Sequence, residues 1–174
     1  FLGFLSFIFY FVYITSLYKI VHNLMGYSLR RTLWVVLIAS SFAGVCAQIS
    51  SNQTDLVIAS LVTSSIYLFW SSFKDNKTVS IVISSLCYAL AIGTKTSAGF
   101  LIPAVLIFFI YLSLRYKNFK NLLKFLSFGF INFLIFSAYN YVLNYIDYQN
   151  IFGFGGALVS HKNIYGVKGF WANI

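Results

Sequence analysis

Acid is what this sequence has least of. There is no glutamate, and the three aspartates are Asp55, Asp75 and Asp147. Charged residues of both signs make up 9% of the 174 residues, where a soluble domain carries about 25%. So few charges cannot cover a globular surface with polar groups. Cysteine is nearly as scarce: Cys46 and Cys87 both lie in apolar runs, without a His or Cys partner at metal-ligand spacing. They read as buried free thiols and report nothing about redox compartment. No metal site is expected. No P-loop is present, and no G-x-G-x-x-G opens a helix. An enzyme without a nucleotide-binding element, working on the outer face of a membrane, needs a lipid-linked donor.

What the sequence has is hydrophobicity. Apolar residues make up 60% of it, and mean hydropathy is +0.84. Apolar stretches of about 20 residues recur, each long enough to cross a hydrocarbon core roughly 30 Å thick. The expected class is therefore all-α, a polytopic membrane helix bundle. The net charge is +9, from 12 Lys and Arg. The basic residues fall mostly between apolar runs, the topogenic pattern of membrane proteins, so no nucleic-acid partner is expected. The chain is apolar from Phe1, with no basic region before the first run and no small-residue cleavage site after it, which argues against a signal peptide. It reads as an internal fragment of a longer chain.

Five of the expected membrane segments can be read at once: about 2–18, 32–50, 56–73, a run over 79–114, and 122–144. The run from Val79 to Leu114 holds 36 residues and one charge, Lys95, inside the stretch "GTKTS". As one helix it would be about 54 Å long, too long for ordinary tilt. Split at "GTKTSAG", it becomes a short span over 79–92 and a fuller one over 98–114, making about six. Gly93 and Gly99 suit a chain reversal. Pro103, the single proline, then falls in the first turns of a helix, where it is tolerated. Charge bias supports the split. With it, Lys19, Arg30, Arg31, Lys74, Lys77, Arg115, Lys117, Lys120 and Lys124 share one side, and Lys95, Lys162 and Lys168 the other. The positive-inside rule makes the first side cytoplasmic. The knot Ser50–Asp55, the turn Gly93–Ser97 and the C-terminal tail are then extracytoplasmic, in an inner (plasma) membrane. The expected organisation is a transmembrane bundle over 1–144 and an extracytoplasmic loop over 145–174.

Lys95 is the sharpest candidate for chemistry. Either it holds an anionic group such as a lipid phosphate, with donors added by the hydroxyls of Thr94, Thr96 and Ser97, or it snorkels and marks the interface. Asp55 closes the knot "SSNQTD" and opens a span. It reads as a functional acid, as a helix-start residue complementing the dipole, or as both. Gln48, Asn52 and Gln53 on the same rim either hydrogen-bond a sugar or face water. Asp75 reads as a solvated turn residue. Asn132, Asn140 and Asn144 read as interhelical hydrogen-bonding groups, and the tyrosines from Tyr139 to Tyr148 as an aromatic belt. His161 and Lys162 form a polar pair in the tail, either plain loop or substrate contact.

The order of pieces resembles a known family. Arg30-Arg31 enters a span that ends in "QISSNQTD" (Gln48–Asp55); after the next hairpin comes "ALAIGTKTSAGFLIP" (Ala89–Pro103). This is similar to the middle of bacterial membrane glycosyltransferases with the C-type fold, a group that includes protein mannosyltransferases and the aminoarabinose transferase of lipid A. The resemblance covers roughly Ser28 to Leu114. It implies transfer of a sugar from a polyprenyl-phosphate donor to an acceptor on the outer face, with no further cofactor. It implies a catalytic acid, acting as general base, in a loop that would lie before Phe1, so that no catalytic residue is expected in this fragment. It places Lys95 and Asp55, with Thr94, Thr96 and Gln53, at the donor phosphate and sugar, and leaves His161 and Lys162 as loop contacts. The partners implied are the bilayer and a lipid-linked sugar. A transporter or flippase for a lipid-linked or anionic substrate, and a membrane scaffold without chemistry, stay open beside it.

Overall fold

The computed structural model describes residues 2–42, 45 and 54–152, and among these it contains seven α-helices and no strand. They are α1 (Leu2–Lys19), α2 (Leu29–Ser40), α3 (Asp55–Asp75), α4 (Thr78–Thr94), α5 (Ile102–Arg115), α6 (Phe119–Phe136) and α7 (Ala138–Tyr148). The chain divides after Ser137 into two compact units, and α1–α6 belong to the first. Four helices are long and apolar enough to cross a membrane: Phe4–Leu24, Asp55–Asp75, Thr96–Arg115 and Phe119–Phe136. Thr78–Thr94 is a shorter apolar helix of 17 residues, matching the short span read over 79–92.

Polar side chains set the direction and register of these helices. Ser16 and Ser64 are hydrogen-bonded at 2.9 Å, and Lys74 Nζ donates to the Asn23 carbonyl at 2.8 Å, so α1 and α3 run parallel. Ser84 Oγ donates to the Ser65 carbonyl at 2.7 Å across an antiparallel α3–α4 hairpin. Asn76 closes that hairpin in the left-handed conformation (φ 53°), which asparagine tolerates. α6 runs parallel to α4: Lys124 Nζ donates to Thr78 Oγ1, Asn132 Nδ2 to Ser85 Oγ, and Ser137 Oγ to the Ala89 carbonyl. Ser60, Ser65, Ser72, Ser84 and Ser85 are fully buried. Small hydroxyl residues let apolar helices approach closely and hydrogen-bond where no water competes.

Aromatic packing fills the remainder. Phe69 of α3 stacks on Phe109 of α5 (centroids 3.9 Å apart), and Phe125 of α6 meets both rings edge-on. Nearby, the Trp70 indole N–H donates to the Tyr116 hydroxyl at 3.1 Å. Phe69, Phe109 and Leu112 are wholly inaccessible, so the densest core lies towards the C-terminal end of α3.

The structure departs from the sequence reading at three helix ends. The first helix does not stop at Lys19 but continues through a wider turn, Ile20–Leu24, closed by Met25 N–H to the Ile20 carbonyl. Lys19 is accommodated because its ammonium lies 5.4 Å from the Tyr67 ring centroid, a favourable cation–π position. α2 ends at Ser40, and most of the remainder of the span expected to about Ser50 lies outside the described residues. The Ser40 and Ser41 hydroxyls donate to the Leu37 and Ile38 carbonyls, offering the backbone an alternative to further helix. The segment expected over 122–144 is broken at Ser137, whose φ of −125° is not helical. In the second unit, α7 carries the exposed tyrosines Tyr139, Tyr145 and Tyr148, and Asn144 Nδ2 donates to the Ile151 carbonyl. That bond is local, not the interhelical one expected of Asn144; Asn132 does make such a bond.

Gly93 of α4 packs against Ser137, the residue just past the end of α6. A Cβ built there would sit 2.6 Å from Ser137 Oγ and 2.9 Å from its Cβ. Gly93→Ala is expected to destabilise the bundle by about 1–3 kcal/mol, the usual cost of overpacking. Adding Ser137→Gly should recover part of the loss. Unfolding in detergent, followed by circular dichroism, measures both; an unchanged midpoint in Gly93→Ala would rule out the close approach.

Candidate functional site

The 36-residue apolar run is interrupted where the sequence suggests. α4 ends at Thr94, Lys95 is extended (φ −156°, ψ 131°), and a 3₁₀ turn over Thr96–Leu101 leads into α5 with Pro103 in its first turn. The turn opens with the Ala98 N–H donating to the Lys95 carbonyl at 3.0 Å. An extended residue between two helices aims its side chain away from the axis of either. Across the antiparallel hairpin, the register set by Ser65 and Ser84 brings the first residue of α3 beside the last turn of α4.

There the Lys95 ammonium donates to Asp55 Oδ1 at 2.8 Å. This is the one ion pair among the described residues, and it joins the two charged candidates, which lie 40 positions apart. Each charge also sits at the helix end that favours it, Asp55 in the first turn of α3 and Lys95 just past the C-terminus of α4. The N-cap residue Thr54 makes no side-chain cap bond. The two side chains are 47% and 46% exposed, so the pair is open to an arriving ligand. An ammonium has three donors, and the bond to Asp55 uses one.

The other candidates fall less evenly. Thr94 Oγ1 donates to the Leu90 carbonyl at 2.8 Å, which commits its proton to the helix and leaves its lone pairs as acceptors. Thr96 is half-buried and Ser97 exposed, both at the start of the 3₁₀ turn. Gln48, Asn52, Gln53, His161 and Lys162 lie outside the described residues, as does Cys46. Cys87 is a free thiol, half-buried in α4. Asp75, the last residue of α3, is exposed, in keeping with a solvated residue. Among the described residues, no three His, Cys, Asp or Glu side chains come together. The sequence reading missed Phe100, 87% exposed within the turn that follows Lys95. Phe100 follows Gly99 in the same short turn as the buried Ala98, and nothing in the linear sequence marked which of the two would be exposed.

The opposite end of α3 is basic. Lys74 reaches the wider turn that ends the first helix, Tyr116 packs on Phe73 between Arg115 and Lys117, and Lys124 of α6 bonds Thr78 next to Lys77. The 21 residues of α3 separate this rim from Asp55 by about 30 Å, close to the thickness of a hydrocarbon core.

A family model described as dolichyl-phosphate-mannose-protein mannosyltransferase matches residues 2–141, a stretch that contains both Asp55 and Lys95. No curated protein and no solved structure matches the chain.

A half-exposed ion pair contributes little to stability, about 0–1 kcal/mol. Asp55→Asn and Lys95→Gln are each expected to shift the unfolding free energy by less than about 1 kcal/mol, with little coupling in a double-mutant cycle. A loss of several kcal/mol in denaturant titrations would make the pair a structural clamp instead of an available site.

Proposed function

The chain belongs to the dolichyl-phosphate-mannose-protein mannosyltransferase family, a family of membrane glycosyltransferases, and on that premise we propose that it serves transfer of a sugar from a polyprenyl-phosphate donor to an acceptor on the outer face of the membrane. The observation that carries this reading is the Lys95–Asp55 pair, at the end of the bundle opposite the basic rim. The positive-inside rule supports a cytoplasmic rim, and with it a pair on the extracytoplasmic side of a plasma membrane. The donor sugar is a hexose or pentose.

The proposed roles follow from charge. Transfer forms a bond from an acceptor hydroxyl oxygen to the anomeric carbon, its proton passing to a base, and breaks the bond between that carbon and a phosphate oxygen, so that the polyprenyl phosphate leaves with the bonding electrons. Negative charge grows on that oxygen as the bond breaks. Lys95, released from Asp55 or still partly held by it, offsets that charge as a point cation. Asp55 holds the ammonium in place before the donor arrives. Thr96 lies close enough in sequence to contribute a hydroxyl, Thr94 can accept a hydrogen bond from the sugar, and Gln53, His161 and Lys162 are candidate contacts to the sugar or acceptor. None of the described residues is assigned the part of general base.

Removing one preorganised electrostatic group of this kind costs about 100- to 1,000-fold in rate. In the complete protein, assayed in membranes with a polyprenyl-phosphate sugar, Lys95→Ala is expected to lower transfer by about 100-fold or more. Asp55→Ala should also lower it strongly through loss of Lys95 positioning. Both variants should reach the membrane at wild-type levels. Wild-type transfer in both would sink the assignment, and substrate movement into vesicles without a covalent product would favour translocation instead.

A further inference from the structure

Several cations at the basic end of the bundle are engaged. Lys74 Nζ donates to the Asn23 carbonyl, Lys124 Nζ to Thr78 Oγ1, and Lys19 faces the Tyr67 ring. Arg30, like Arg31, is exposed at the start of α2 and has no hydrogen bond or ion pair among the described residues. Its position is nonetheless fixed. His22 Nδ1 and the Tyr27 carbonyl are hydrogen-bonded at 2.9 Å, Tyr27 N–H donates to the Val21 carbonyl, and the wholly buried Thr32 donates to the Ser28 carbonyl. These bonds tie the start of α2 to the end of the first helix, beside the Lys74 contact.

Arg30 stands at one end of a groove of about 440 Å³, whose described wall is Arg30, Leu33, Trp34, Val36, Leu37 and Ser40. Apart from its ends the wall is apolar, and Leu33, Trp34 and Leu37 are more than half exposed. Ser40 closes the far end with its hydroxyl donating to the Leu37 carbonyl. From Arg30 to Ser40 is about 15 Å along the helix, half of a roughly 30 Å hydrocarbon core and so the depth of one leaflet.

We propose that this groove is a binding site for a membrane phospholipid with an anionic headgroup, its phosphate on the Arg30 guanidinium and one acyl chain along Leu33, Trp34 and Leu37. A planar, weakly hydrated guanidinium matches phosphate oxygens in pairs, and none of the three acids is an ion partner for Arg30. An apolar wall one leaflet deep with a cation only at its surface end fits a lipid lying parallel to α2. It does not fit a soluble phosphate, which would leave the wall wet. The site is distinct from the Lys95 turn, since the two lie at opposite ends of α3.

The test uses the full chain in vesicles of mixed phosphatidylglycerol and phosphatidylcholine, with the acyl chains of one or the other brominated. Trp34 emission is isolated as the difference between wild type and Trp34→Phe. Brominated phosphatidylglycerol should quench it more strongly than brominated phosphatidylcholine. Arg30→Gln should reduce that preference about fivefold, the effect of one basic residue at an anionic surface. Lys120→Gln, at the same rim but outside the groove, should leave it unchanged. Equal quenching by the two lipids in the wild type overturns the proposal. So does a loss with Lys120→Gln as large as with Arg30→Gln, which would mean a diffuse basic rim. Absence of quenching by either lipid means that protein covers the groove, and overturns it as well.

Discussion

A hydrocarbon core about 30 Å thick cannot be crossed once by 36 apolar residues, and the rest of the structure depends on how the chain meets that limit. It reverses at Lys95. The reversal sets α5 antiparallel to α4 and parallel to α3, so that Phe109 can stack on Phe69. It also lets α6 return beside α4 with Asn132 on Ser85. Because each helix starts at the correct end, cations collect at one end of α3, and the one ion pair among the described residues, Lys95–Asp55, lies at the other.

Inside such a layer apolar side chains gain little by leaving lipid for protein, so specificity comes from small residues and buried hydroxyls. The pairs Ser16–Ser64, Ser65–Ser84 and Ser72–Asn121 each join two helices. Individually such bonds contribute about 0.6 kcal/mol. Together they hold a register that an apolar surface alone would leave free to slide. The same economy of size appears at Gly93, where the missing Cβ admits Ser137 and lets α6 end against α4. A hairpin held in that register is what presents Lys95 to Asp55 at hydrogen-bonding distance.

The ion pair and the empty-handed Arg30 illustrate two uses of scarce charge. With three acids against twelve bases, most cations must find carbonyls, hydroxyls, rings or water. Asp55 is given to Lys95 at the face where few other cations lie, and that places a neutral but polarised pair at the mouth of the α3–α4 hairpin. Family membership supplies the chemistry such a pair can serve. The geometry supplies its openness, since half of each side chain faces outward.

Much of this was legible in linear order. Composition determined the membrane class, because few charges and long apolar runs admit no other solvent. Length determined that the run over 79–114 must break, and the glycines, Lys95 and Pro103 marked where. Helix ends were less legible: Lys19 sits inside a helix because Tyr67, 48 positions away, receives its charge, and α6 stops at Phe136 where Ser137 bonds Ala89. Lys95 and Asp55 were each visible as an unusual charge at a membrane boundary, yet nothing in the spacing joined them. Only the tertiary structure decided that they meet, because contact between residues 40 positions apart depends on the register of α3 against α4, and buried hydroxyls such as Ser65 and Ser84 set that register in three dimensions.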